Sequence, residues 1–434
     1  MYLNKAARAK GAGRGPDNTP YSSPVIYLDN AASTRPAAEV VAALSQAARD
    51  LFGNPAAAHA AGAAASRALE AARAEVARAL DAQPEEVVFT SGGTEADAMG
   101  VLGAARAARG RHLVVTAFEH PAVMRAVEAL VAEGFTVERV APGADGVVPA
   151  DAVLAAVRPD TAVVAVMLVQ NELGTVQPVA EIARGLGPGR RRPHLHVDAV
   201  QGFGLMRLRP AALGADSVAL SAHKLHGPRG AGALWIRPGA RLHPLWVGGG
   251  QESGRRGGTE NLPAAVGFGT AAALARAALE AGAAQQVAAL RDRLERAAVA
   301  AVPGARPTVV GAERAPHIAS IAFPGLPAEP LLHALEARDV LASAGSACAS
   351  RVAGPSAALK SIGLDDRTGV LRFSLSRETT AAEVDAAVAA LADAARDLRP
   401  EGARDVGSPD APRDIQAAAE ARAAFSLANR GRRG

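Results

Sequence analysis

An α/β fold with a largely parallel sheet, helices on both faces and a smaller α+β domain behind it follows from three features of the sequence. Short β-branched or apolar runs alternate with Ala-rich amphipathic stretches as far as about residue 270. Beyond a long helix pattern that alternation gives way to fewer strands and helices, which suit a second domain. The 49% apolar share contains only 3% aromatics, so the core has to be built from Val, Leu, Ile and Ala. A length of 434 residues accommodates two such domains with ample surface to bury.

The elements follow in order. Strands are predicted at Glu86–Thr90, His112–Thr116, Thr136–Val140, Ala162–Val169, Leu195–Val197, Ser217–Leu220 and Gly232–Ile236. Helix patterns between them include Ala64–Leu80, Thr94–Arg109 and Pro121–Glu133. One continuous helix pattern runs over Leu262–Val302. After it come strands at Ile318–Phe323, Val340–Ser343 and Arg372–Ser376, with helices at Glu329–Arg338 and Ala381–Leu398. The expected organisation is a large domain over 25–278 and a small C-terminal domain over 279–400 carrying the only cysteine. Residues 1–24 and 401–434 fit neither core and read as disordered extensions.

Charge excludes some functions. The net +4 divides into +3 in residues 1–24 and +1 in residues 401–434, which leaves a neutral body. The basic isoelectric point therefore gives no footing for a nucleic-acid partner. Arg190-Arg191-Arg192 reads as a solvated loop. No apolar run approaches the roughly 18–20 residues that span a bilayer, and no apolar stretch follows the N-terminal basic residues as in a secretory signal. A cytoplasmic protein is the expectation. A single cysteine, Cys348, excludes an intrachain disulfide framework, a cysteine-rich zinc site and a self-contained iron–sulfur cage; no metal site is expected.

Ligands of open α/β sheets sit at the carboxyl ends of strands, so the residues there carry the chemistry. Thr90-Ser91-Gly92-Gly93-Thr94-Glu95 is a strand, a glycine turn and a helix start, which serves either as an anion site or as an ordinary cap. His120 at a strand–helix junction is a catalytic or stacking group, or a satisfied loop histidine. Gln170-Asn171 offers amides to a ligand or to a turn. Asp198, after an apolar strand, needs a cationic partner, either a protonated cofactor ring nitrogen or a structural arginine. Lys224 closes Ser221-Ala222-His223-Lys224. Only four of the 47 basic residues are lysines, and arginine cannot replace a lysine that must deprotonate and form an imine. Gly257-Gly258-Thr259-Glu260-Asn261 repeats the glycine–hydroxyl–helix pattern. Cys348 lies among small residues, Gly345-Ser346-Ala347-Cys348-Ala349-Ser350, a setting for an exposed nucleophilic thiol rather than a buried filler.

Together these segments resemble the cysteine desulfurases of the NifS/IscS type, in the class V aminotransferase group of fold-type I pyridoxal phosphate (PLP) enzymes. The resemblance runs from about Tyr27 to Leu398. It is carried by Tyr27-Leu28-Asp29-Asn30-Ala31-Ala32, Phe52-Gly53-Asn54-Pro55, the Thr90–Glu95 segment, Glu119-His120, Asn171-Glu172-Leu173-Gly174, His196–Gln201, Ser221–Lys224, Arg256–Thr259, Gly345–Cys348 and Leu371-Arg372-Phe373-Ser374. The resemblance implies that Lys224 holds PLP as a Schiff base. Asp198 would pair with the ring nitrogen, His120 stack on the ring and serve as a proton relay, and Gln201 bond the phenolic oxygen. Asn171 would contact ring and substrate. Gly93, Thr94, Ser221, Ala222 and His223 would form the phosphate site, with Thr259 donated by the partner of a homodimer. Arg372 would bind the carboxylate of L-cysteine, and Cys348 would receive its sulfur as a persulfide for a sulfur-acceptor protein of iron–sulfur assembly or tRNA thiolation.

The chain departs from the family pattern at Ala98, where Asn is frequent, at Gln170, again for Asn, and at Ser253, for Arg. Residues 351–355 keep the family's length there but little of its sequence, which leaves the acceptor open. Selenocysteine lyase, or another class V PLP activity on the same fold, is the alternative reading.

Overall fold

The computed structural model describes residues 25–189, 192–345, 356–364 and 368–399. Both terminal extensions, Arg190-Arg191 and Cys348 lie outside them. A short strand, β1 (Ile26–Tyr27), leads into helices α1 (Ala38–Asp50) and α2 (Ala60–Ala79). The predicted alternation then unfolds as β2 (Val87–Thr90), α3 (Gly93–Ala107), β3 (His112–Thr116), α4 (Pro121–Ala132), β4 (Thr136–Val140), α5 (Ala150–Ala155), β5 (Thr161–Met167), α6 (Val179–Leu186), β6 (His194–Asp198), α7 (Pro210–Leu213), β7 (Ser217–Ser221) and β8 (Gly232–Ile236).

These seven strands, β2 to β8, form one sheet in the order β2-β8-β7-β6-β5-β3-β4. All neighbours are parallel except β8, which runs antiparallel to both β2 and β7. Two reversals restore direction, so β2 points the same way as β7, β6, β5 and β3. With β4, parallel to β3, the carboxyl ends of six strands therefore lie along one edge, which is where the site forms. The edge strand β2 (VVFT) and the central strand β5 (TAVVAVM) are both buried throughout and read as near-continuous apolar runs.

The pattern read as one helix over Leu262–Val302 is two, α8 (Leu262–Glu280) and α9 (Ala283–Ala301). Gly282 sits between them at φ 88°, a left-handed conformation that ends the first helix and starts the second. Ala-rich sequence on both sides keeps the period in phase, so the break is marked only by that glycine. The expectation that no apolar run nears membrane-spanning length also needs correction, because α8 is long and apolar enough to cross a bilayer. Its apolarity has a local cause. The helix packs against α1 and α2, half of its most apolar window is buried, and Phe268 meets Phe203 and Phe89 ring to ring.

Two small sheets complete the described residues. They contain β9 (Arg306–Pro307), β10 (Ile318–Pro324), β11 (Val340–Leu341) and β12 (Thr368–Ser374), with helices α10 (Ala328–Glu336), α11 (Ala357–Ser361) and α12 (Ala381–Asp397). The order β12-β10-β9 is antiparallel, and β11 pairs in parallel with β1. The strand expected at Arg372–Ser376 starts earlier and ends at Ser374, while Ser343 reaches Arg372 through an isolated bridge. The Asp29–Ser374 bridge joins the N-terminal segment to β12, to which Ser343 brings the segment after β11.

Candidate active site

The strand ends enclose a cavity of about 230 Å³. At one end, Gly93 opens α3 beside Val200 and Ser221. A Cβ on Gly93 would lie 2.7 Å from Val200 Cγ2, so only glycine lets the helix start come this close to the loop after β6. The first N–H groups of α3 have no helical acceptor and carry the positive end of its dipole. Ser221 is buried beside them, and its Oγ has no hydrogen-bond partner among the described residues. His223 lies 3.2 Å through Nδ1 from Ser33 Oγ. Burial, then Lys224, Arg229 and His120, push its imidazole down to about 4, so at neutral pH it is an uncharged donor or acceptor. Helix start, unpartnered hydroxyl and imidazole form a cradle for an anion.

The middle of the cavity holds the groups with the most perturbed charge. Lys224 Nζ donates to Ala31 O at 2.6 Å and to Ala32 O at 2.9 Å. Asp198 is buried at the end of β6, and its Oδ1 accepts the Val200 N–H at 2.9 Å. Burial pushes its carboxyl up, against the pull of His120, the Val200 N–H and Lys224. His120 caps α4 by accepting the Ala122 N–H at Nδ1, 3.1 Å, which places the proton of the neutral ring on Nε2. Burial, reinforced by Lys224 and opposed by Asp198, holds it below the ordinary imidazole range. Gln201 Nε2 donates to Ala31 O at 2.8 Å, while its Oε1 lies 3.1 Å from His317 Nε2.

Arg372 closes the cavity from β12. Its Nη1 donates to Asn171 O and its Nη2 pairs with Asp29 Oδ1, both at 2.9 Å. The expected residues Gly93, Thr94, His120, Asn171, Asp198, Gln201, Ser221, His223, Lys224 and Arg372 all line this one cavity. Ala222 is buried behind it as the first residue of a short 3₁₀ turn. Thr259 is exposed and is not part of the lining. Asn261, not Thr259, caps α8, with its side chain accepting the Ala264 N–H. Cys348 lies outside the described residues, but the described ends of its segment meet at Glu172, which follows the lining residue Asn171. Ser356 Oγ donates to Glu172 Oε2 at 2.6 Å, and a Cβ on Gly345 would lie 3.0 Å from the same oxygen, next to Asn171.

Several participants were not apparent from the sequence. Asp97 lines the cavity, and its place four residues after Gly93 on one helix side was the signal available for it. Asp29 stands in the Tyr27–Ala32 motif, which gives it no role, yet it is the partner of Arg372. His317 reaches Gln201 from β10's approach, a contact that no local pattern announces.

The aminotransferase class-V profile matches residues 26–387. A cysteine desulfurase of Trichormus azollae is 39% identical over 378 residues, covering 86% of this chain and 94% of its own. Among solved structures, a NifS-like protein aligns with a TM-score of 0.80 at 32% identity, covering 86% of this chain and 100% of its own. SspA in complex with cysteine aligns with a TM-score of 0.69 at 32% identity, covering 80% and 98%. By the extent of the profile and the identity to its relatives, the chain belongs to the aminotransferase class-V family, among the cysteine desulfurases.

Proposed function

We propose that the protein is a PLP-dependent cysteine desulfurase that converts L-cysteine to L-alanine and takes the sulfur onto Cys348. The observation that carries this reading is one cavity holding an amine, a buried carboxylate, an unpartnered buried hydroxyl at a helix start and a guanidinium. Those groups fit PLP. Ser221 Oγ, the Gly93-Thr94 N–H groups and His223 would hold its phosphate. Lys224 would hold it covalently through Nζ. Asp198, whose charge burial disfavours, gains a cation if the ring nitrogen beside it is protonated. Gln201 has an N–H left for the phenolic oxygen, and neutral His120 suits stacking. Bound PLP supplies an electron sink for negative charge at the substrate Cα.

The chain's own residues do the rest. Arg372, held on two sides by Asp29 and Asn171 O, would bind the substrate carboxylate bidentately. Lys224 Nζ would move the Cα proton, and His120 Nε2 would relay a proton to or from the sulfur. The Cys348 thiolate would attack the substrate sulfur. An S–S bond forms as the Sγ–Cβ bond breaks, and the electron pair left on the three-carbon fragment is protonated to give alanine. Glu172, next in sequence to the lining residue Asn171, supports this assignment, because it bonds Ser356 and lies beside Gly345, the two described ends of the Cys348 segment. The persulfide would pass to an acceptor protein. A homodimer is proposed in which Thr259 of one copy completes the phosphate site of the other.

Purified protein should show the visible absorption of lysine-bound PLP and release alanine, plus sulfide when a reductant is present, from L-cysteine. Cys348→Ser should keep the absorption and lose turnover; full turnover would overturn the sulfur step. Lys224→Ala should abolish the absorption band, and an unchanged band would remove the cofactor assignment.

A further inference from the structure

The inner wall of the cavity holds more acid than this chemistry uses. Asp97 lies in the second turn of α3, 1% exposed, and lines the cavity. Its carboxylate, the Asp198 carboxylate and a ring nitrogen of His120 bring one atom each to within 4.8 Å of one another. Asp97 forms no ion pair with Lys or Arg among the described residues. Its hydrogen-bond contact is Oδ1 to His196 Nε2 at 3.1 Å.

His196 stands two residues before Asp198 on β6, so both side chains project from the same face of the sheet. Its ring is fully buried under α3, where Gly100 makes room; a Cβ there would lie 2.2 Å from His196 Nδ1. Nδ1 is 2.9 Å from Ser217 Oγ, and Ser217 Oγ is 2.7 Å from His194 Nε2. The result is a line of four hydrogen-bonding side chains, Asp97, His196, Ser217 and His194, leading from the cavity to the opposite end of β6.

Such a line has two self-consistent polarities. If Asp97 is protonated, its O–H donates to His196 Nε2, His196 Nδ1–H to Ser217 Oγ and Ser217 O–H to His194 Nε2. If Asp97 is ionised, all three bonds reverse. The surroundings select the first. Two carboxylates this close and away from water cannot both ionise. The cation Lys224 acts on Asp198, whereas the groups acting on Asp97 are the acids Asp198 and Glu119, and the nearby His120 is neutral. His196 cannot supply a charge, because burial pushes it down to about 3. At the far end, burial, His196, Arg192 and Arg237 hold His194 down at about 3 as well, which keeps it a neutral acceptor.

We propose that Asp97 is a positioning residue that keeps its proton and donates it to His196, so that Asp198 is left as the one anion of this pair facing the cofactor ring nitrogen. The proposal rests on the assignment of Asp198 to that nitrogen. It makes Asp97 a neutral donor, a role that asparagine reproduces through Nδ2–H.

The test uses the PLP-loaded enzyme. In a Glu119→Gln background, which removes the second protonated buried carboxyl, the infrared spectrum at neutral pH should contain the carbonyl stretch of a protonated buried carboxyl that disappears when Asp97→Asn is added. Nitrogen-15 NMR with labelled PLP should show the ring nitrogen protonated in both wild type and Asp97→Asn, with PLP affinity changed by less than about threefold. The proposal is overturned if the band is absent, if it survives Asp97→Asn in that background, or if Asp97→Asn deprotonates the ring nitrogen or weakens PLP by about thirtyfold or more. Asp198→Asn separates the two assignments. If that variant leaves ring protonation intact, the role of Asp198 fails, whatever the infrared band shows.

Discussion

A guanidinium fixed on two sides before its ligand arrives is a preorganised carboxylate receptor. Arg372 meets this description, since Asp29 and Asn171 O hold its two Nη atoms while its Nε has no partner among the described residues. Arg372→Lys keeps the charge but loses the planar fork. Losing a charged hydrogen bond costs about 1.5–3 kcal/mol, so kcat/KM for L-cysteine should fall roughly 10- to 100-fold, mainly through KM. PLP absorption should not change. Steady-state kinetics that show an unaltered KM would remove Arg372 from the carboxylate site. Glu119 gives a second residue-scale prediction, in pH. Its Oε1 accepts from Thr116 Oγ1 and the Met167 N–H at 2.6 and 2.7 Å, its Oε2 has no partner among the described residues, and burial pushes its carboxyl from 4.5 up to about 8. Between those values the folded state binds a proton that the unfolded state has released. The contribution is therefore complete below 4.5 and is lost as pH rises toward about 8, on the order of 1.4 kcal/mol per pH unit. Glu119→Gln mimics the protonated acid and should gain stability relative to wild type as pH rises across that window. Thermal melts of the two proteins that stay parallel at all pH values would show that Glu119 is ionised in the fold. Asp198 and Lys224 were legible because a strand end and a scarcity of lysine mark them locally. Asp97, Glu119 and His317 matter through burial and through contacts made by other elements, which the linear sequence does not display.

At the scale of elements, periodicity located nearly every strand of the main sheet, since these are apolar runs bounded by turns. It failed where two helices of like composition adjoin. The α8–α9 junction is decided by backbone conformation at Gly282, at φ 88°, rather than by a change of pattern. The cost of placing a Cβ there follows from steric crowding in the left-handed region, about 1–2 kcal/mol. Gly282→Ala should lower the urea midpoint by a corresponding amount and leave PLP uptake unchanged, because the junction lies away from the cavity lining. An unaltered midpoint would mean that the break is set by packing alone. The edges of β5, β6 and β12 shifted for a related reason. Residues such as Thr161, His194 and Thr368 join the ladders through backbone pairing, which their side chains do not signal.

At the scale of the molecule, three large apolar side chains near the glycine-rich stretch and the 52–56 turn stay exposed among the described residues. Phe52 is 83% exposed, Val247 84% and Trp246 48%. Trp246 O accepts the Gly257 N–H, so the apolar pair at 246–247 is tied to the glycine-rich stretch that leads to Thr259. The turn at Pro55-Ala56 and the loop Gly250–Ser253 line a common cleft of about 550 Å³. That loop is held firmly. Glu252 is buried at φ 48°, takes Arg73 Nη1 and Nη2 at 2.6 and 2.9 Å, and accepts the Phe89 N–H. Arg256 binds Glu95 in the first turn of α3, beside the anion cradle. A loop that carries exposed apolar side chains and is pinned through Arg256 to Glu95 at the start of α3 suits an interface between two copies. The proposed homodimer would couple assembly to cofactor binding. Val247→Asp places a charge where a copy would bury an isopropyl group, which costs several kcal/mol when the charge is unpaired. Sedimentation should show wild type as a dimer and Val247→Asp shifted toward monomer. If Thr259 acts across the interface, the variant's PLP affinity should fall by about tenfold and recover as protein concentration drives reassociation. A monomeric Val247→Asp that binds PLP as tightly as wild type would confine the phosphate site to one chain.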